Sequence, residues 1–277
     1  MRQFLPRALE AGGTHVRGHR GHSIGAPENT LPALEAAAAL GATCREVDLL
    51  LTRDERIVLR HDELLGRSDD GSGRVGEATL AELRRLDAGS WFDPHFAGTP
   101  IATLEDALET AARVGLGLLL EIKEHERTDA LIDRLGESPL AAGALDHVLV
   151  ISFDHPSLLR ARSRIPGLRT ELVTHARHVD PVALAERAAA ASVAIEGDMF
   201  APEDAASLHA AGVAVRVTIP RPAVIERRRL HGLDLEARLA PALAEGLIDI
   251  LAGDDAAFVR DWVERHGRCA PRLKPTA

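Results

Sequence analysis

The chain has 277 residues, 45 % apolar, 27 % charged and 3 % aromatic. A chain of this length buries roughly 75 % of its unfolded surface, so these aliphatic side chains can build a sizeable core, and disorder, collagen and disulfide scaffolds are excluded. A net charge of −9 argues against a nucleic-acid partner.

Along the chain, short aliphatic runs at 14–19, 44–50, 57–60, 117–122, 147–152, 169–173, 193–196, 213–218 and 247–251 read as strands, and Ala-rich helical stretches separate most of them. Thr79-x-x-Glu82 and Thr103-x-x-Asp106 have the form of capping boxes, and Pro156, Pro181 and Pro202 stand where a first helical turn accepts proline. Asp154 reads as a helix N-cap. No linker interrupts the alternation, so residues 1–277 form one domain, and about eight strand–helix units predict an α/β fold, a (β/α)8 TIM barrel. Residues 61–100, polar and Gly/Asp-rich with a short helix at 80–86, read as a small insertion after the second strand unit. The open doubly wound sheet is the competitor, but Gly18-His19-Arg20-Gly21-His22 has neither dinucleotide nor P-loop spacing.

Cys44 and Cys269 are too few for a disulfide framework and too isolated for zinc. No apolar run reaches the roughly 18 residues of a membrane span, and the first residues lack a secretory pattern. The expectation is a cytoplasmic protein without an integral membrane segment. The basic run Arg227-Arg228-Arg229 reads as a solvated helix face.

On a strand, Glu46 and Asp48 share one side while Val47 and Leu49 share the other. Apolar side chains face the helices outside a barrel, so the two carboxylates point inward, where they need a cation. The alternative is a salt-bridged pair on an edge strand. Glu121, two residues before Lys123, ends another strand; joined to Glu46 and Asp48 it makes an oxygen-only set suited to one divalent cation, Mg²⁺ or Ca²⁺. Lys123 is one of two lysines, with Lys274, among 31 arginines, and offers a compact charge to a phosphate-like group. His19 and His61 each follow a strand and can reach the same rim, one to take a proton and one to give it. Of the other histidines, His22 and His125 come nearest to that description. Glu196-Gly197-Asp198 could be a rival metal site but lacks a matching third ligand, and is better suited to a substrate contact, Glu196 above all.

His19-Arg20-Gly21 with Pro27-Glu28-Asn29-Thr30, Glu46-x-Asp48-x-x-x-Thr52-x-Asp54, His61-Asp62 and Glu121-Ile122-Lys123 together resemble the glycerophosphodiester phosphodiesterases, and 71–92 resembles that family's insertion. The resemblance is dense from His19 to Lys123. It implies a TIM barrel, hydrolysis of a small-molecule glycerophosphodiester to glycerol phosphate and an alcohol, one cation on Glu46, Asp48 and Glu121, His19 and His61 as acid and base, and phosphate contacts from Arg20 and Lys123. Glu28 and Asn29 are expected to shape the first loop and Asp62 to orient His61. Downstream, Arg216-Val217-Thr218-Ile219-Pro220 and Ala252-Gly253-Asp254-Asp255 depart from the family's usual endings of the last two strands. Arg216, if inward, adds a cation for an anionic or hydroxyl-rich alcohol. The competing functions are a lysophospholipase D-like headgroup hydrolase on the same barrel and a barrel that binds a phosphorylated ligand without turnover. Oligomeric state is not legible in the sequence.

Overall fold

The computed structural model describes residues 4–138 and 144–275. Eight parallel strands close on themselves: β1 (His15–Gly18), β2 (Cys44–Leu51), β4 (Gly117–Ile122), β5 (Val148–Ser152), β6 (Thr170–Val173), β7 (Ser192–Glu196), β8 (Ala214–Thr218) and β9 (Ile250–Gly253), with β1 paired to both β2 and β9. This is the expected (β/α)8 barrel. The ninth strand, β3 (Ile57–Leu59), runs antiparallel along the end of β2 and leads into the insertion, whose small core is built on Leu50, Val58, Val75, Leu83, Ala88 and Ile101.

Strand alternation sorts the side chains. Val47, Leu49, Leu118, Leu120, Val150, Val193, Val215, Val217 and Leu251 face outward into the main apolar core shared with the helices. Phe4, Cys44, Leu119, Leu149, Ile151 and Ile250 belong to a second cluster inside the barrel. Within the barrel wall, Arg17 pairs with Glu46 at 3.0 Å and Arg216 with Glu171 at 2.7 Å, all four nearly inaccessible to solvent.

Helix starts follow their local chemistry. Thr79 and Thr103 form complete capping boxes with Glu82 and Asp106 at the starts of α3 (Leu80–Leu83) and α4 (Leu104–Val114), and Thr30 caps α2 (Leu31–Ala39). Pro156, Pro181 and Pro202 lie in the first turns of α6 (His155–Arg164), α7 (Pro181–Arg187) and α8 (Pro202–Ala210). Three local features depart from expectation by more than the shift of a residue at a strand end. The helix at α3 stops at Leu83, because the backbone tightens into turns that bring Ala88 N onto Thr99 O. Asp154 occupies the N-cap position of α6 but its side chain reaches Arg160 instead of the helix amides. The last strand starts at Ile250, not 247. The buried Asp249 before it accepts from the amides of Ala8 and Val215, tying down α1 (Ala8–Ala11), a helix absent from the sequence reading.

Two further helices, α9 (Pro222–Arg229) and α10 (Leu235–Ala244), separate β8 from β9, and α11 (Ala256–His266) follows; α5 (Thr128–Glu137) follows β4. Among the described residues no helix is long and apolar enough to cross a membrane. Arg228 and Arg229 spend their charge on Asp198 and Glu226, as a solvated face does.

Candidate active site at the barrel mouth

The β2–β4 register sets Asp48 directly beside Glu121, with Glu46 two residues earlier on the same side. Ligand oxygens of Glu46, Asp48 and Glu121 lie within 4.8 Å of one another, and all three residues are buried. The loop after β1 wraps this cluster. Gly21, at φ +97°, has no room for a Cβ, which would sit 2.6 Å from that of Ala33; Arg20 and Asn29 also take left-handed backbone, φ 52° and 56°, a conformation costly for residues with side chains and concentrated at functional sites. The result is specific. The Arg20 amide donates to Glu46 Oε2 at 2.9 Å, and Asn29 grips Asp48 twice, its Nδ2 donating to Oδ2 at 2.8 Å while its Oδ1 accepts from the Asp48 amide at 3.1 Å.

Charge is unevenly answered across the cluster. Burial opposes ionisation of Glu46, but Arg17, His19 and Arg20 outweigh it and hold the carboxyl well below its usual range. Asp48 goes the other way: burial, then the fields of Glu46 and Glu121, push it well above. Glu46 Oε1 and Asp48 Oδ1 are buried and make no hydrogen bond. A buried carboxylate oxygen without a donor is costly, and a hard divalent cation would satisfy both atoms, so the residues present fit such an ion.

The histidines flank the cluster. His19 Nδ1 is 2.7 Å from Asp254 Oδ1, and its Nε2 faces Glu46 Oε2 at 3.9 Å. His61 Nδ1 is 2.6 Å from Asp62 Oδ1. A carboxylate at Nδ1 fixes the proton there and leaves Nε2 free to accept one. Burial lowers the His61 pKa, Asp62 resists, and the nearby Arg20 and Lys123 lower it further. Arg67 holds the other oxygen of Asp62 and reaches Glu28, which in turn holds Arg20 at 3.1 Å. Lys123 Nζ contacts Glu121 Oε1 at 2.6 Å and lies 5.6 Å from the centre of the Phe153 ring.

A cavity of about 250 Å³ opens over these groups. His19, Arg20, His61, Glu121 and Lys123 line it, with Arg17, Arg216, Phe153, His175, Glu196 and Thr218 among the other lining residues. Arg216 does point inward, with its charge answered by Glu171 and a hydrogen bond to Thr218 Oγ1 at 2.9 Å. Glu196 faces His175 at 3.1 Å, whereas Asp198 turns away to Arg228, so Glu196 and Asp198 do not converge. His22 is engaged with the Ala256 amide and His125 is exposed; neither lines this cavity.

Three contributors were missed by the sequence reading. Arg17 precedes His19 by two residues and therefore shares its side of the strand, a signal present in the alternation. Glu171 alternates with the outward Leu172 in the same way. Asp254 directly follows the last strand at the rim, within the Ala252-Gly253-Asp254-Asp255 run that departs from the family pattern.

A closed barrel with carboxylates, two aspartate-anchored histidines and a lysine gathered at the C-terminal ends of its strands defines a (β/α)8 protein equipped at the mouth for polar chemistry. The family model for the glycerophosphoryl diester phosphodiesterase family matches residues 19–234, and the chain belongs to that family. A glycerophosphodiester phosphodiesterase of Caldanaerobacter subterraneus is 34 % identical over 181 residues, covering 65 % of this chain and 74 % of the relative. YhdW of Bacillus subtilis is 38 % identical over 160 residues, 58 % of this chain and 65 % of its own length, slightly under two thirds. An Oleispira antarctica phosphodiesterase solved in complex with the product sn-glycerol-3-phosphate superposes with a TM-score of 0.76 at 27 % identity, covering 92 % of this chain and 98 % of that one.

Proposed function

We propose that this protein hydrolyses glycerophosphodiesters to glycerol phosphate and an alcohol, using one divalent cation held by Glu46, Asp48 and Glu121, with His19 and His61 as acid and base. The observation that carries the reading is the pair of buried, undonated oxygens on Glu46 and Asp48, set between two histidines whose Nδ1 atoms are already committed to carboxylates. Mg²⁺ or Ca²⁺ suits this all-oxygen set and, when bound, offsets charge on the phosphoryl oxygens.

The chain's own residues do the rest. Arg20 and Lys123 bring fixed positive charge to the phosphate, where it gains most as charge builds up at the reacting centre. One histidine takes the proton of the attacking water at its Nε2 as the water oxygen bonds to phosphorus, the other gives its Nε2 proton to the alkoxide that departs as the P–O bond to the alcohol breaks, and Asp62 and Asp254 stabilise whichever ring is charged. Arg216, Thr218 and Glu196 face the alcohol portion as substrate contacts. The relatives' names and the product bound to the Oleispira protein support the glycerol phosphate half of the substrate.

Turnover of a panel of glycerophosphodiesters and lysophospholipids, with Mg²⁺, Ca²⁺ or chelator, tests the reading. Metal-dependent release of glycerol phosphate from the diesters is the expected result. Headgroup release only from lysophospholipids would favour the lysophospholipase D-like reading, and phosphoryl-ligand binding without turnover would favour a binding barrel.

A further inference from the structure

Each mouth histidine is anchored by an aspartate, and each of those aspartates is gripped on its second oxygen by an arginine. For His61 the arginine is Arg67, from the insertion. For His19 it is Arg221, whose Nε lies 2.6 Å from Asp254 Oδ2 while Asp254 Oδ1 holds His19 Nδ1 at 2.7 Å. We propose that Arg221 is a positioning residue for His19, fixing the plane of Asp254 and through it the ring's orientation and tautomer. The inference rests on the acid–base reading of His19 given above.

Four observations support it. The Arg221 side chain is 63 % exposed, and an ion pair that wet adds little to folding, so stability alone does not account for the contact. Arg221 stands between Pro220 and Pro222 with φ −57° and ψ 147°; a following proline restricts it to this extended region, so the side chain starts from a stiff backbone. His19 has few other restraints, since among the described residues its ring makes no hydrogen bond except to Asp254, and Glu46 lies 3.9 Å away. Finally, burial would raise the Asp254 carboxyl, yet its bonds to His19 and Arg221 hold it at about 2, so it remains an acceptor for the Nδ1 proton. A carboxylate bound at both oxygens is fixed in direction, and such supporting contacts typically change activity by about 10–100-fold when removed.

The test uses the full chain in two measurements. In steady-state kinetics on a glycerophosphodiester with saturating Mg²⁺ or Ca²⁺, Arg221→Ala lowers kcat about tenfold with KM nearly unchanged, and Arg221→Lys recovers part of the loss. Asp254→Asn loses at least as much, and adding Arg221→Ala to it costs nothing further; Arg229→Ala, at the far end of the helix that Arg221 precedes, stays at the parent level. In ¹⁵N NMR, which needs no turnover, His19 is in the Nδ1–H tautomer in the parent and shifts toward a tautomer mixture in Arg221→Ala. Parental kcat in Arg221→Ala, a change confined to KM, losses that multiply in the double variant, or an unaltered His19 spectrum would each overturn the proposal. An inert parent with either metal would instead defeat the phosphodiesterase reading, while the NMR arm still decides whether Arg221 sets the ring.

Discussion

Lys123 Nζ sits 2.6 Å from Glu121 Oε1 and 3.9 Å from Asp48 Oδ1, bridging two members of the carboxylate cluster from a site that also opens to the cavity. A compact ammonium fits between those oxygens and the Phe153 ring; a planar guanidinium carries its charge over a wider fork. Lys123→Arg is therefore expected to keep the fold and lose at least tenfold in kcat/KM, about 1.4 kcal/mol of transition-state stabilisation. Kinetics beside a melting curve check this, and a folded, fully active Lys123→Arg protein would make the lysine incidental.

The histidine pair is tested by truncation. His19→Ala and His61→Ala are each expected to lower kcat by about 10²-fold or more, the usual scale for a positioned acid or base. Because both serve one reaction, the double variant should fall well short of the product of the two losses. A well-folded single variant with near-parental kcat would remove that histidine from the mechanism.

How much of this was legible in the sequence depends on the length scale of each signal. The Glu46/Asp48 alternation placed both carboxylates inside the barrel because Val47 and Leu49 had to face the helices, and the structure has them so. Thr79 and Thr103 announced their helices through local capping chemistry. Partners far apart in sequence left no such mark: Asp254 meets His19 only because the barrel closes β9 onto β1, and Glu171 meets Arg216 across two strand spacings. The late start of β9 has the same origin, since Asp249 is drawn to the amides of Ala8 and Val215.

Arg216 shows what that long-range pairing does to a prediction. Read alone, it brings a free cation for an anionic or hydroxyl-rich alcohol; paired to Glu171 at 2.7 Å, it keeps hydrogen-bonding capacity but little net field. A single hydrogen bond is worth about 1 kcal/mol, so diesters of glycerol or a sugar should exceed glycerophosphocholine in kcat/KM by roughly fivefold, measured side by side at equal metal. A preference for the choline diester would take Arg216 out of the substrate contacts. Glu171→Gln leaves that arginine buried and unpaired, and should destabilise the fold by about 3–5 kcal/mol, readable in denaturant titration.

Acid stability has its own marker in His15, which is buried against Phe4 with Nε2–H donating to Leu5 O at 2.8 Å and Nδ1 accepting from Thr43 Oγ1 at 2.9 Å. Burial lowers its pKa from 6.5 to about 4. The unfolded chain therefore binds a proton that the folded one refuses between those values. The stabilisation is complete above pH 6.5 and fades as pH falls toward 4, by about 3 kcal/mol in all. His22, His61 and His147 are lowered by burial in the same sense and Asp48 is raised in the opposite one, so the His15 share is read as the difference between parent and variant. His15→Gln should be less stable at pH 7 and show a flatter stability profile between pH 6.5 and 4; an unchanged slope would remove His15 as the cause.

The central claim is that Glu46, Asp48 and Glu121 hold a cation the reaction needs. It is tested most directly by the turnover of a glycerophosphodiester by protein stripped with chelator, its metal content verified by elemental analysis, before and after Mg²⁺ or Ca²⁺ is restored. The account predicts that activity disappears with the metal and returns with it, and that Glu46→Gln, Asp48→Asn and Glu121→Gln each need more metal to recover and recover less. Full turnover by verified metal-free protein would contradict it.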